Sequence, residues 1–215
     1  KNFNFHLMFT TLLNFCTNDL SAFYFDIRKD VIYCDEKKSL ERRSARTLLD
    51  IIFNYLVRWL APSLSFTTEE AWKARDNKSS IHLEDFLKTP KNYMNLKIND
   101  SWAVIKQIRK VITGALEKKR FEKVIGSSLE AHVDIYLEKS IFQKVEKHPF
   151  DEISITSSFT LHELDNDING FELEDVANVS VVVSKAEGKK CQRCWKYKQA
   201  LIRDEICQRC EKAIS

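Results

Sequence analysis

Two CxxC pairs, Cys191-Gln-Arg-Cys194 and Cys207-Gln-Arg-Cys210, stand twelve residues apart near the end of this 215-residue chain. A CxxC turn aims two sulfurs at one point. Two such turns joined by a tight hairpin close a tetrahedral thiolate site for zinc. The alternatives are two disulfides or four unrelated thiols, and paired pairs at this spacing favour metal. The last histidine is His162, so no fifth ligand lies nearby and the site reads as closed. Closed sites are structural rather than catalytic. The tail is therefore expected to be a four-cysteine zinc ribbon, with Cys191, Cys194, Cys207 and Cys210 holding one ion.

That reading bears on the rest of the chain. Thiols kept reduced for metal suit a reducing compartment, so a cytoplasmic location is expected, with Cys16 and Cys34 left outside the set. No apolar run is long enough for a membrane span, and no membrane partner is expected. The chain opens on Lys1, and the residues up to Thr10 lack a signal-peptide pattern. They read as helix interior, which suggests a piece of a longer protein that acts as a monomer.

Charge is unevenly laid out. Residues 1–145 carry 24 basic and 18 acidic residues, 146–184 one basic and nine acidic, and 185–215 nine basic and four acidic. A basic metal module behind an acidic stretch suits a polyanion partner, although a solvated basic surface would look the same.

Only four Gly and three Pro occur, and helical spacing dominates the first half. Phe3, Leu7, Met8, Leu12 and Phe15 predict one helix, and a second is expected to be capped near Asp19. Ser39 caps the strongest helix, whose stripe runs from Ala45 to Leu60 before Pro62 ends it. Thr67-Thr-Glu-Glu70 reads as a capping box for a further helix. Residues 75–99 look irregular. Trp102, Ile105, Ile108, Ile112 and Leu116 then mark a long amphipathic helix, with Lys118-Lys-Arg120 at its end. That basic cluster suits the helix dipole as well as it suits a ligand.

After Gly126 the period becomes two. Leu129 to Leu137 predicts a half-buried strand, with further strands at Ile153–Ile155 and Val179–Val183. The acidic run from Glu163 to Asp175 is expected to be a loop or edge connection. The expected fold is mainly α: an antiparallel helical bundle over 1–90, a small α+β module over 100–184 and the zinc ribbon over 185–215. No phosphate-binding Gly loop, HExxH or GxSxG occurs. No catalytic residue is assigned, and the chain reads as a binding fragment.

Three stretches resemble the helical anticodon-binding domain of class I aminoacyl-tRNA synthetases: Leu20-Ser-Ala-Phe-Tyr-Phe-Asp-Ile-Arg-Lys-Asp30, Arg42-Arg-Ser-Ala-Arg-Thr-Leu-Leu-Asp50, and Val57 to Trp72. Val124-Ile-Gly-Ser-Ser-Leu-Glu-Ala-His-Val133 and the tail from Ser184 resemble the isoleucyl, bacterial branch of that family. The resemblance implies a tRNA anticodon stem-loop as partner, in the isoleucine case tRNA(Ile). It also implies an ATP- and Mg2+-dependent catalytic domain, and an editing domain, upstream in the same chain. Unstacked anticodon bases are read by aromatic or Arg stacking and by hydrogen bonds to base edges. Arg193, Trp195, Lys196, Tyr197 and Arg209 are the expected contacts in the tail. Packing against the ribbon is the competing role for Trp195 and Tyr197. A zinc-ribbon DNA-binding module and a helical scaffold with a zinc staple are the alternative functions.

Overall fold

The computed structural model describes residues 4–75, 78–164, 168–203 and 205–215. Phe3 of the expected first helix, residues 76–77 of the irregular connection and residues 165–167 of the acidic run lie outside them. The chain divides into two compact units, one of Lys1–Glu36 with Leu96–Ser215 and one of Lys37–Asn95.

Helix α1 (Phe5–Asn14) starts behind Asn4, whose side chain accepts the Leu7 N–H at 3.1 Å. No new helix begins at Asp19. A π-helical segment, Phe15–Phe25, runs directly into α2 (Asp26–Cys34), with helical dihedrals at both joins. No Gly or Pro interrupts residues 4–34, so nothing forces a break. The Asp19 carboxylate instead accepts a hydrogen bond from Lys106 at 2.9 Å, a long-range partner that outweighs local capping.

In the smaller unit, Ser39 caps α3 (Leu40–Leu60) through the Arg42 N–H at 3.2 Å. Helix α4 (Ser65–Lys73) starts ahead of the expected capping box, which places Thr67 inside the helix. Thr68 donates back to the Leu64 carbonyl at 2.9 Å, as mid-helix hydroxyls do. Glu69, beside the box's Glu70, accepts from the Ile81 N–H and the Ser80 hydroxyl, both at 2.9 Å, and ties α4 to the turn at Ile81–Leu83. Val57, Ala61, Trp72 and Ile81 form the small core of this unit.

The larger unit is organised around α5 (Leu96–Phe121), whose Ile105, Ile108, Val111 and Ile112 are fully buried. It lies against a sheet of β1 (Ala131–Leu137), β2 (Ser158–Glu163), β3 (Phe171–Leu173) and β4 (Val176–Lys185), in the order β2-β1-β4-β3. Strands β1 and β2 are parallel, and the other pairs antiparallel. Strand β1 alternates buried and half-buried residues throughout, as its period of two predicts. The edge strand β3 falls inside the acidic run, and Gly114 lets α5 approach it: a Cβ there would stand 2.7 Å from the Phe171 ring.

Two short helices, α6 (Lys139–Val145) and α7 (Phe150–Ile153), connect β1 to β2. The strand expected at Ile153–Ile155 is absent. Pro149 precedes α7 and Ile155 adopts a left-handed φ of 57°, so the chain turns there and pairs only from Ser158. Two alternating isoleucines were too short a signal to outweigh that turn.

The tail contributes β5 (Lys189–Lys190), β6 (Tyr197–Lys198) and α8 (Gln208–Ile214). Strands β5 and β6 pair antiparallel. Gly188, at a φ of 100°, permits the entry into this hairpin, where any Cβ would overlap the Lys198 carbonyl.

Candidate metal centre and nucleic-acid interface

All four tail thiols are buried, and their sulfurs lie within 4.8 Å of one another. None forms a disulfide. Four thiolates about 2.3 Å from a tetrahedral ion stand roughly 3.8 Å apart edge to edge, and Cys194 Sγ and Cys207 Sγ are separated by 3.8 Å. The donor set fits a metal ion.

The backbone favours the thiolate at Cys191, whereas burial holds the Cys194 and Cys210 thiols up. Burial pushes the Cys191 thiol up, but the amides of Cys194, Cys207 and Arg193 outweigh it and bring the group down to about 6. The Cys207 N–H donates to Cys191 Sγ at 3.3 Å. A fifth cysteine, Cys34 at the end of α2, packs against this cluster. Its thiol is pushed up to about 11, by burial first and by the Asp30 carboxylate second.

Of the five predicted contact residues of the tail, the structure places Arg193, Trp195 and Lys196 between β5 and β6, Tyr197 on β6 and Arg209 on α8, and gives them different work. Arg193 donates to the carbonyls of Cys34 (2.9 Å) and Tyr33 (2.7 Å), satisfying the open C-terminal end of α2. Arg209 donates to Asp30 Oδ2 at 2.7 Å, and its Nε donates to Asp35. These two carboxylates raise the Arg209 guanidinium against the lowering effect of its burial. Lys196, with a side chain only 5% exposed, pairs with Asp151 of α7 at 3.0 Å. The Tyr197 N–H donates to Ser157 Oγ at 2.6 Å, and the residue is half-buried.

Trp195 differs. It is 58% exposed at a left-handed φ of 63°, with the Lys190 ammonium 6.0 Å from its ring centroid. The CxxC turn sets this backbone, which carries the indole outward instead of into the ribbon.

A second basic surface lies in the smaller unit. Arg43, Arg46, Thr47, Asp50, Phe53 and Arg75 line an open groove of about 700 Å³. The Arg75 guanidinium stands 4.9 Å from the Phe53 ring and pairs with Asp50, whereas Arg43 and Arg46 are exposed. The i, i+3 spacing of the two arginines on α3 was visible in the sequence as part of a family-like stretch. Its partner Arg75 carried no local signal, and neither did the acids that hold the tail (Asp30, Asp35 and Asp151).

Residues 1–135 match the family model described as the anticodon-binding domain of tRNA ligase. The chain belongs to that family. The match runs from α1 to the middle of β1 and takes in the Arg43–Arg46 surface. Relatives extend the similarity into the tail. The isoleucine–tRNA ligase of Pelagibacter ubique is 45% identical over 197 residues, which cover 91% of this chain and 21% of that protein. That of Ruegeria pomeroyi is 42% identical over 221 residues, covering 99% of this chain and 22% of the relative. The Agrobacterium fabrum protein of the same name is 43% identical over 196 residues, or 90% and 20% respectively. The chain thus spans about a fifth of the length of the curated relatives it matches. Among the described residues no helix is long and apolar enough to cross a membrane.

Proposed function

We propose that this chain is the anticodon-reading part of an isoleucine–tRNA ligase, and that its four tail cysteines hold one structural zinc ion. The observation that carries the reading is similarity to ligases of that name along nine-tenths of the chain. The physical features agree with it. Arginines such as Arg43, Arg46 and Arg75 suit phosphates, because a guanidinium offers two parallel donors. An exposed indole on a rigid turn suits an unstacked base, as at Trp195. Tyr197 flanks it. Arg193, Lys196 and Arg209 serve the same interface by holding the ribbon against α2 and α7.

Zinc fits four thiolates better than the hard cations, which prefer oxygen. It supplies the tail with a fixed crosslink and takes no part in reaction chemistry. The joining of isoleucine to tRNA, with its ATP and Mg2+, is assigned to stretches of such ligases outside the one matched here. A cytoplasmic, monomeric setting goes with that assignment.

The test is binding of an isoleucine tRNA transcript to the purified chain across a salt series, with elemental analysis of the same sample. The expected result is about one zinc per chain and an affinity that falls steeply with salt. A metal-free folded tail overturns the zinc assignment, and a chain indifferent to tRNA at low salt overturns the RNA reading.

A further inference from the structure

A second groove, of about 490 Å³, lies where the end of the four-stranded sheet meets the ribbon hairpin. We propose that this groove, with Lys185 and Lys198 on its walls, holds one phosphodiester and the adjoining nucleotide of a single-stranded RNA loop. The inference rests on the RNA reading above and adds a subsite to it.

Three observations carry it. The first is charge. Lys185 ends β4 and Lys198 ends β6, and neither makes an ion pair among the described residues. Elsewhere in the tail, Lys196 and Arg209 are committed to Asp151, Asp30 and Asp35. Two ammonium groups without carboxylate partners, on one concave wall, are what a phosphodiester needs. Glu187 is the one acid in the lining, and its carboxylate lies 3.4 Å from the Gln199 amide.

The second is the remaining lining. His132, Ser158, Ser184 and Tyr197 add a ring, hydroxyls and a phenol, the mixture that reads a sugar and a base edge. His132 is held in place by Ser158 Oγ at 2.8 Å from its Nδ1, so the imidazole is oriented before any ligand arrives. His132 of the lining shares one face of β1 with Asp134 and Tyr136, beside β2. There His162 hydrogen-bonds Asp134 at 2.8 Å and stacks on Tyr136 with ring centroids 4.7 Å apart.

The third is rigidity. The wall is built from paired strands, and the Tyr197 N–H is tied to Ser157 across it at 2.6 Å. Gly188 closes the hairpin beside Lys198. A preformed site loses little ordering entropy when a flexible loop enters it.

The experiment compares the wild-type chain with a Lys185→Gln/Lys198→Gln double variant, and with Lys139→Gln/Lys144→Gln as a charge-matched control on α6. The probes are an anticodon stem-loop RNA and a fully paired RNA duplex of equal length, each titrated from 50 to 200 mM salt. Zinc content and circular dichroism confirm that all three proteins are folded. The groove predicts a roughly tenfold loss of stem-loop affinity near 0.1 M salt, and a log–log salt slope shallower by about 0.7, from the one phosphodiester it holds. Duplex binding and the control variant should change by less than about threefold. Unchanged stem-loop binding in the double variant, with the wild type still binding, overturns the groove and leaves the RNA reading intact. Equal losses on both probes, or in both variants, also overturn it. A wild type that ignores the stem-loop removes the groove and the wider reading together.

Discussion

The sheet module and the four-cysteine tail belong to one compact unit yet hold themselves together by different means. Helix α5 and strands β1 and β4 bury a continuous apolar cluster from Ile105 to Val183. In the tail the buried cluster is the four cysteines and Cys34, with Leu201 and Ile206 packed at its edge. Residues 185–215 are too few to bury a core of their own, and the four clustered thiols take its place. The tail is then fastened to its neighbours by charge: Arg193 and Arg209 to α2, Lys196 to α7. A region without a large apolar core can still be anchored to its neighbours by partly buried ion pairs and charged hydrogen bonds.

The largest effect should follow from metal removal. Structural zinc contributes about 10–16 kcal/mol to small metal-dependent folds near neutral pH. Chelation, or Cys194→Ser, should therefore leave β5, β6 and α8 without hydrogen-exchange protection while β1 and β4 stay protected. Persisting protection of the tail without metal would erase the contrast.

The converse substitution tests the other half. Ile135→Ala opens a cavity in the sheet core and should cost about 2–5 kcal/mol by urea unfolding, with zinc content unchanged. If zinc is lost in step, the two regions unfold as one and the contrast is merely compositional.

Lys196→Met is expected to cost about 1–2 kcal/mol, reduced from the value for a fully buried pair because Asp151 keeps some solvent. Adding Asp151→Asn should recover part of that loss. A double-mutant cycle that finds no coupling between the two would remove charge as the fastening.

The smallest effect belongs to Trp195. Its indole is mostly exposed, so Trp195→Ala should leave stability within about 0.5 kcal/mol. Trp195→Gly should raise it by roughly 1 kcal/mol, by relieving the left-handed backbone. Both variants should weaken tRNA binding by about 1–3 kcal/mol if a base stacks there. Stability that falls on Trp195→Ala would show the ring to be part of the tail's packing.

Much of this was legible in the chain. The stripe from Ala45 to Leu60, the face of Ile105, Ile108 and Ile112, and the alternation ending at Leu137 all form the elements their spacing predicts. Each rests on a long run of consistent local preference. The failures are short signals. A cap at Asp19, a capping box at Thr67 and a strand at Ile153–Ile155 each rested on a few residues; the first lost to a distant partner, the second to a helix that begins upstream at Ser65, and the third to a turn.

The same division runs through the candidate site. Cysteine spacing alone picked out the four thiols that the structure gathers, because a CxxC turn converges its sulfurs whatever surrounds it. Basic and aromatic residues in the tail were also evident from the sequence, but their separate duties were not. Arg193, Lys196 and Arg209 find carbonyls and carboxylates that lie 45 to 179 positions away in the chain, while Trp195 is left outward. Local sequence sets what a side chain can do. Whether its charge is spent inside the protein or kept for a ligand depends on which distant acids the fold brings within reach, and only the tertiary structure decides that.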